Sequence, residues 1–158
     1  MPEKKYSSFY LGESLFGIDI LLVREINRTI DLTPVDLASE SIRGLINLRG
    51  QLVTIFDLGI QLGKGKTSLS KKSRCMVLKT SSEIAAYQHA GLLSDTSSDD
   101  MVGLLVDRIG DILSVDVNDI DSPPANVAGI ERKFIHGIVK LETELLIILK
   151  VSALLSNS

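Results

Sequence analysis

Apolar residues in this chain come in short runs broken by glycine, proline and polar clusters, which is the rhythm of β-strands rather than of long helices. From Ser8 to Ile18 two such runs flank Gly12-Glu13-Ser14, predicting two strands joined by a tight turn. From Ile20 to Ile30 the pattern fits two templates, since Leu21-Leu22-Val23 with Ile26 suits a short helix while Val23, Glu25 and Ile30 suit an extended edge; the extended form is taken. Thr33-Pro34 enforces a break, and Asp36 to Ile42 reads as a short helix ended by Gly44. Two glycines then bracket Gly44-Leu45-Ile46-Asn47-Leu48-Arg49-Gly50, and the apolar run Leu52 to Leu58 leaves from the second as a buried strand. The stretches from Gly63 to Ser73 and from Ser94 to Asp100 are polar enough to be a solvated basic connector and a mobile acidic loop.

An internal repeat organises these elements. Residues 42–58 align without a gap on residues 135–151, matching Gly44 to Gly137 and placing apolar residues together at Leu45, Ile46, Leu48, Leu52, Val53, Ile55, Phe56 and Leu58. Phe16-Gly17 has a rough partner in Val102-Gly103, and Thr33-Pro34 in Ser122-Pro123. The chain therefore reads as two related β-lobes. Whatever both copies share is demanded by the fold, which gives Gly44 and Gly137 a mainly structural role. Arg49 aligns with Glu142 and Gly50 with Thr143, so packing does not require them, and Arg49 is the strongest site candidate. An arginine beside a glycine turn is held in a fixed direction, and Glu25 is its anionic mate, able to pair with a guanidinium bidentately. Val23, Ile26 and Val53 are read as core aliphatics.

Composition narrows the function. At 158 residues the chain can bury a real core, and 44% hydrophobic residues without a tryptophan make that core one of Leu, Ile and Val. A formal charge of -3 and 4% aromatic residues provide neither attraction for phosphates nor platforms for bases, so nucleic acid is excluded as a partner. Cys75 is the single cysteine and reads as a small apolar residue on a strand, pointing to a reducing compartment. No apolar signal core follows Met1-Pro2-Glu3-Lys4-Lys5, and Leu145 to Leu149 is too short to span a bilayer, so a cytoplasmic protein is expected. Asn27-Arg28-Thr29 matches a glycosylation sequon only by accident in that setting.

Catalytic chemistry finds no footing. Gly65-Lys66-Thr67 imitates a phosphate loop, but Ile60 stands where a Walker glycine is needed. His89 and His136 lie in no catalytic context, no metal-ligand spacing or Gly-x-Ser-x-Gly elbow occurs, and Asp107, Asp111, Asp116, Asp119 and Asp121 read as polar positions alternating with buried ones. Neither an enzyme nor a metal or cofactor site is expected.

Three ordered blocks carry a family resemblance: Phe16 to Ile26 (FGIDILLVREI), Gly44 to Leu58 (GLINLRGQLVTIFDL) and Val102 to Ile109 (VGLLVDRI). From about Ser8 to about Leu155 the chain resembles the chemotaxis coupling protein CheW. The resemblance implies an all-β protein of two intimately packed, five-stranded, SH3-like barrel lobes, drawn here as residues 8–62 and 74–149, closed by a helix at 151–155. It implies a non-enzymatic scaffold that links the cytoplasmic tip of a methyl-accepting chemoreceptor to the regulatory domain of a CheA-type histidine kinase. Pseudo-symmetric docking with that kinase domain, extending into rings or arrays, goes with it. Val23, Glu25, Gly44, Arg49 and Gly50 become the partner-binding set. The chain departs from the family pattern at Thr54, Gly59 and Lys150 and in its long serine-rich insertion before Val102. An adaptor serving a non-flagellar output is the variant reading, and a small-ligand-binding sensory domain is the alternative from another class.

Overall fold

The computed structural model of the chain describes residues 2–36 and 38–156. Among the described residues twelve strands follow in order: β1 Glu3–Leu11, β2 Ser14–Asp19, β3 Val23–Asn27, β4 Ile42–Leu48, β5 Gln51–Asp57, β6 Arg74–Leu78, β7 Val102–Val106, β8 Arg108–Asp116, β9 Asn126–Val127, β10 Ile130–Glu131, β11 Ile135–Lys140 and β12 Leu145–Leu149. Three short helices accompany them, α1 Leu58–Gln61, α2 Ser81–His89 and α3 Val151–Ser156. The ambiguous segment after β2 uses both of its templates in turn, a single 3-10 turn at Ile20–Leu22 capped by the Asp19 carboxylate and then the extended β3.

Ten of the strands build two five-stranded sheets, ordered β11-β12-β2-β1-β8 and β4-β5-β7-β6-β3. The two orders describe the same architecture. Each has an antiparallel hairpin, β4-β5 or β11-β12, whose second strand runs parallel to β7 or β2 with Ile55 opposite Gly103 and Ile148 opposite Gly17. The repeat is thus real in three dimensions, including its glycine pair. The sheets nevertheless do not follow the contiguous halves 8–62 and 74–149. One is drawn from residues 3–19 and 108–149 and the other from 23–106, so the N-terminal hairpin β1-β2 completes the lobe that contains the C-terminal half. A parallel pairing of β12 with β2 fixes this exchange, and local periodicity carries no trace of it.

Each sheet curls until the chain leaving its edge strand meets the opposite edge. After β3 the chain bridges Thr33 to Leu45 on β4, and after β8 it bridges Asp121 to Ile138 on β11. Closure rests on these single bridges, and they set the true repeat equivalence as Thr33 with Asp121, one residue off the sequence alignment. Gly44 and Gly137 sit at bulges beside the bridges. A Cβ on Gly44, at φ +146°, would lie 2.5 Å from the Thr33 carbonyl oxygen, and one on Gly137 3.0 Å from that of Asp121. Close backbone approach accounts for both glycines.

Three apolar cores result. Ile46, Val53, Ile55, Cys75, Val77 and Leu105 fill one curled sheet, and Tyr6, Leu15, Val115, Val139, Leu146 and Ile148 fill the other. The largest lies between them, with Phe9 stacked on Phe16 at 5.9 Å and Leu22, Phe56, Leu58, Met76, Ile84, Leu104, Phe134 and Leu154 around them. A fully buried leucine or phenylalanine contributes about 1.5–3 kcal/mol, so the shared core holds the lobes as one body.

Several polar segments pack more tightly than their composition implies. The helix expected at Asp36 to Ile42 does not form among its described residues, Leu37 lying outside them; Ile42 already belongs to β4. The 63–73 connector is docked, with Thr67 and Ser73 buried. The 94–100 loop, expected to be mobile, is tied down: Ser97 donates to the Lys79 carbonyl at 2.6 Å, and Ser81 donates through its hydroxyl to the Ser97 carbonyl at 2.9 Å and through its amide to that of Ser98 at 2.9 Å. Just before it lies α2, which begins with a Thr80/Glu83 capping box.

Candidate functional site

The β4-β5 hairpin turns on two residues, Arg49 at φ +51° and Gly50 at φ +84°. Two successive positive φ values give the turn whose twist matches the flanking strands. Gly50 suits it freely. Arg49 does not, because a side chain in the left-handed region costs roughly 1–2 kcal/mol. The Asn47 side chain offsets part of this by accepting the Gly50 amide at 2.9 Å, and Leu48, buried in the sheet, anchors the near side.

Strain of this kind concentrates at functional positions when the surroundings hold it in place. Here the holding contact is Glu25, on β3 at the other edge of the same sheet, whose carboxylate accepts from the Arg49 guanidinium. A bulge lies between Val23 and Glu25 and places Glu25 opposite Val77 on β6. The Arg49 side chain keeps 70% of its surface exposed and Glu25 keeps 28%, so the pair clasps two sheet edges while leaving donors free for a partner. Ile26, expected in the core, is 39% exposed beside Glu25 because β3 is an edge strand that the apolar cores leave uncovered at this point, and Leu52 on the hairpin is 65% exposed. Val23 is half-buried against the shared core, and Val53 is fully buried as expected. The structure therefore brings together Glu25, Arg49 and Gly50, adds Ile26 and Leu52 as an apolar flank, and leaves Gly44 buried.

The second lobe repeats the frame with different chemistry. Ile112, 61% exposed, follows the bulge of β8 as Ile26 follows that of β3. Asp111 precedes it, and Glu142 occupies the hairpin position of Arg49, so two acids stand where the first lobe has an ion pair.

A buried polar knot supports the first lobe. Arg43 Nη1 lies 2.8 Å from the Asp57 carboxylate, which is fully buried, and also donates to the Thr67 carbonyl at 2.7 Å. The same carboxylate accepts from the Thr67 amide at 3.0 Å, its hydroxyl at 2.8 Å and, as cap of α1, the Ile60 amide at 3.3 Å. One carboxylate thus fastens β4, α1 and the 63–67 loop, which is why that loop is not free in solvent. Sequence reading passed over this knot; an acid immediately before a short helix was the available signal.

Nucleophilic chemistry is not supported by the one thiol. Burial, helped by the Glu25 charge, pushes Cys75 up to about 12, so it stays protonated at neutral pH. Among the described residues no cluster of three or more His, Cys, Asp or Glu could hold a metal ion, and no helix is long and apolar enough to cross a membrane.

Comparison with known proteins places this frame in a lineage. A CheW-like domain is matched over residues 5–158. The chemotaxis protein CheW of Treponema pallidum is 30% identical over 150 residues, covering 95% of this chain and 81% of the relative. That of Rhizobium meliloti is 28% identical, covering 92% and 83%. Among solved structures, the scaffolding protein TtCheW of Thermoanaerobacter tengcongensis superposes with a TM-score of 0.79 at 31% identity, covering 98% of this chain and 88% of the other. With the match spanning both curled sheets and the whole Glu25–Arg49 clasp, the chain belongs to the CheW-like family of chemotaxis proteins.

Proposed function

We propose that this protein is a non-enzymatic cytoplasmic scaffold that couples a methyl-accepting chemoreceptor tip to the regulatory domain of a CheA-type histidine kinase. Family membership supports the class of function. The single observation that carries the site is Arg49, held at positive φ on a hairpin tip by a carboxylate from the opposite sheet edge while most of its side chain faces solvent. A surface arginine with no task has no reason to occupy a strained position and a fixed direction.

Glu25, Arg49, Gly50 and the neighbouring Val23 form the contact, with Ile26 and Leu52 as its apolar flank. Exposed aliphatics around an orienting arginine are the composition of an interface centre. Gly44 contributes by shaping β4. Binding energy then comes from desolvating the guanidinium against a partner carboxylate or carbonyl, and the pre-set pair lowers the ordering cost.

The test is a binding titration of the full chain against a CheA-type regulatory domain and a receptor tip fragment, with wild type and Arg49→Ala side by side. Measurable binding of wild type to either partner, weakened by at least tenfold in the variant, supports the assignment. Absence of binding to both partners overturns the coupling function; equal binding by the variant overturns the site.

A further inference from the structure

The repeat that relates the two lobes breaks at one chemically important pair. Arg43 aligns with His136 and Asp57 with Lys150, and the backbone confirms the match: the Asp57 amide donates to the Ser41 carbonyl at 2.6 Å as the Lys150 amide donates to the Phe134 carbonyl at 2.8 Å. In the first lobe the acid caps α1 and neutralises the arginine. In the second lobe both positions are basic, so α3 has neither an acid of its own at the capping position nor a counter-charge for His136.

Asp95 supplies what is missing. It belongs to the serine-rich segment leaving α2, on the other lobe, yet its carboxylate accepts from the Val151 amide at 2.7 Å and the Ser152 amide at 3.2 Å, the first two of α3. Its carbonyl accepts from Gln88 Nε2 at 2.9 Å, and the rest of the segment is pinned to Lys79 and Ser81. Beside it lies an open pocket of about 180 Å³ lined by Lys4, Asp19, Asp95, His136, Lys150 and Ser152 among others. Lys4 and Asp19 pair with each other at 2.9 Å.

We propose that residues 94–100 are an inter-lobe strap in which Asp95 replaces, from the opposite lobe, the helix-capping acid that the second lobe lost at Lys150. The strap makes the seating of α3 conditional. This helix places Val151 and Leu154 in the core between the sheets, both fully buried, and its Leu154 carbonyl accepts from Gln61 of α1 at 2.8 Å. Releasing Asp95 loosens α3 and the join between lobes while leaving both strand ladders intact. The inference is independent of the partner-binding role of Arg49.

Hydrogen exchange on the intact chain tests it. Asp95→Ala speeds exchange of the Val151, Ser152 and Leu154 amides by about tenfold more than that of β5 amides, as loss of a helix cap does. Lys150→Asp returns an acid to the position next to α3, and in that background Asp95→Ala changes the same amides by less than about twofold; Lys150→Asn, an uncharged cap, provides the same comparison should the acid disturb folding. No selective change at α3 in Asp95→Ala, or an equal change in both the wild-type and the Lys150-substituted backgrounds, overturns the proposal.

Discussion

Arg43 and Asp57 lie 2.8 Å apart in the interior of the first lobe, and the equivalent residues of the second lobe, His136 and Lys150, are both basic. One backbone plan therefore carries an attractive buried ion pair in one copy and two basic side chains with no acid between them in the other. This difference sets how each lobe responds to mutation and to pH.

Asp57→Ala removes the cap of α1, the anchor of Thr67 and the carboxylate bonded to Arg43. Breaking a buried pair by deleting one partner costs about 3–5 kcal/mol. Urea unfolding of Asp57→Ala should show a loss of that size, and a loss under 1 kcal/mol would mean that solvent reaches Arg43 freely.

At the hairpin tip the balance is opposite. The Arg49–Glu25 pair is solvent-accessible, so Arg49→Ala and Glu25→Ala should each change stability by less than about 1 kcal/mol. Against a partner surface the same truncations should cost roughly 2–5 kcal/mol of binding, and the double variant should lose less than the sum if the two act as one unit. Melting curves and titrations on the same samples separate these effects.

Two glycines in the same hairpin should differ in kind. Gly44→Ala puts a Cβ 2.5 Å from the Thr33 carbonyl oxygen and strains a positive φ, so the barrel-closing bridge must shift and stability should fall by more than about 2 kcal/mol. Gly50→Ala meets nothing within 4 Å and should cost only the conformational penalty of about 1 kcal/mol. Equal losses would refute the steric account of Gly44.

His136 provides a pH response. Partial burial, then the charges of Lys4 and Lys150, hold its imidazole below the ordinary value of 6.5, and Asp95 and Asp19 oppose them only in part. The unfolded chain consequently takes up the proton first, so this contribution to stability is present above about pH 6.5 and is lost as pH falls through the unfolded and then the folded value. His136→Gln should flatten the stability profile between about pH 7 and 5; an unchanged slope would assign the acid response to other groups.

Much of the site was legible because it is local. A glycine-bracketed apolar run ending in Arg49-Gly50 demands a hairpin, and comparing the two copies isolates Arg49 as a residue the lobe does not need. Glu25 was readable as a mate by charge alone. That Ile26 faces solvent was not, because residue type assigns an isoleucine to a core, and only the assembled sheets show that this part of the edge strand β3 stays uncovered. Nor was the anchoring of the 94–100 segment, whose small polar residues suggest solvation until Asp95 meets α3.

The sequence by itself determined the all-β class, the twofold repeat, the positions of Gly44 and Gly137, and the candidate pair Glu25–Arg49, since each follows from residue type, local spacing or the comparison of one stretch of chain with another. Only the tertiary structure decided that β1-β2 completes the C-terminal lobe, that Asp57 locks a loop composition assigns to solvent, and that Asp95 caps a helix 56 residues away. These contacts join segments far apart in the chain, and their energies depend on burial and on aligned donors and acceptors, quantities that come into being only when the sheets have closed on one another.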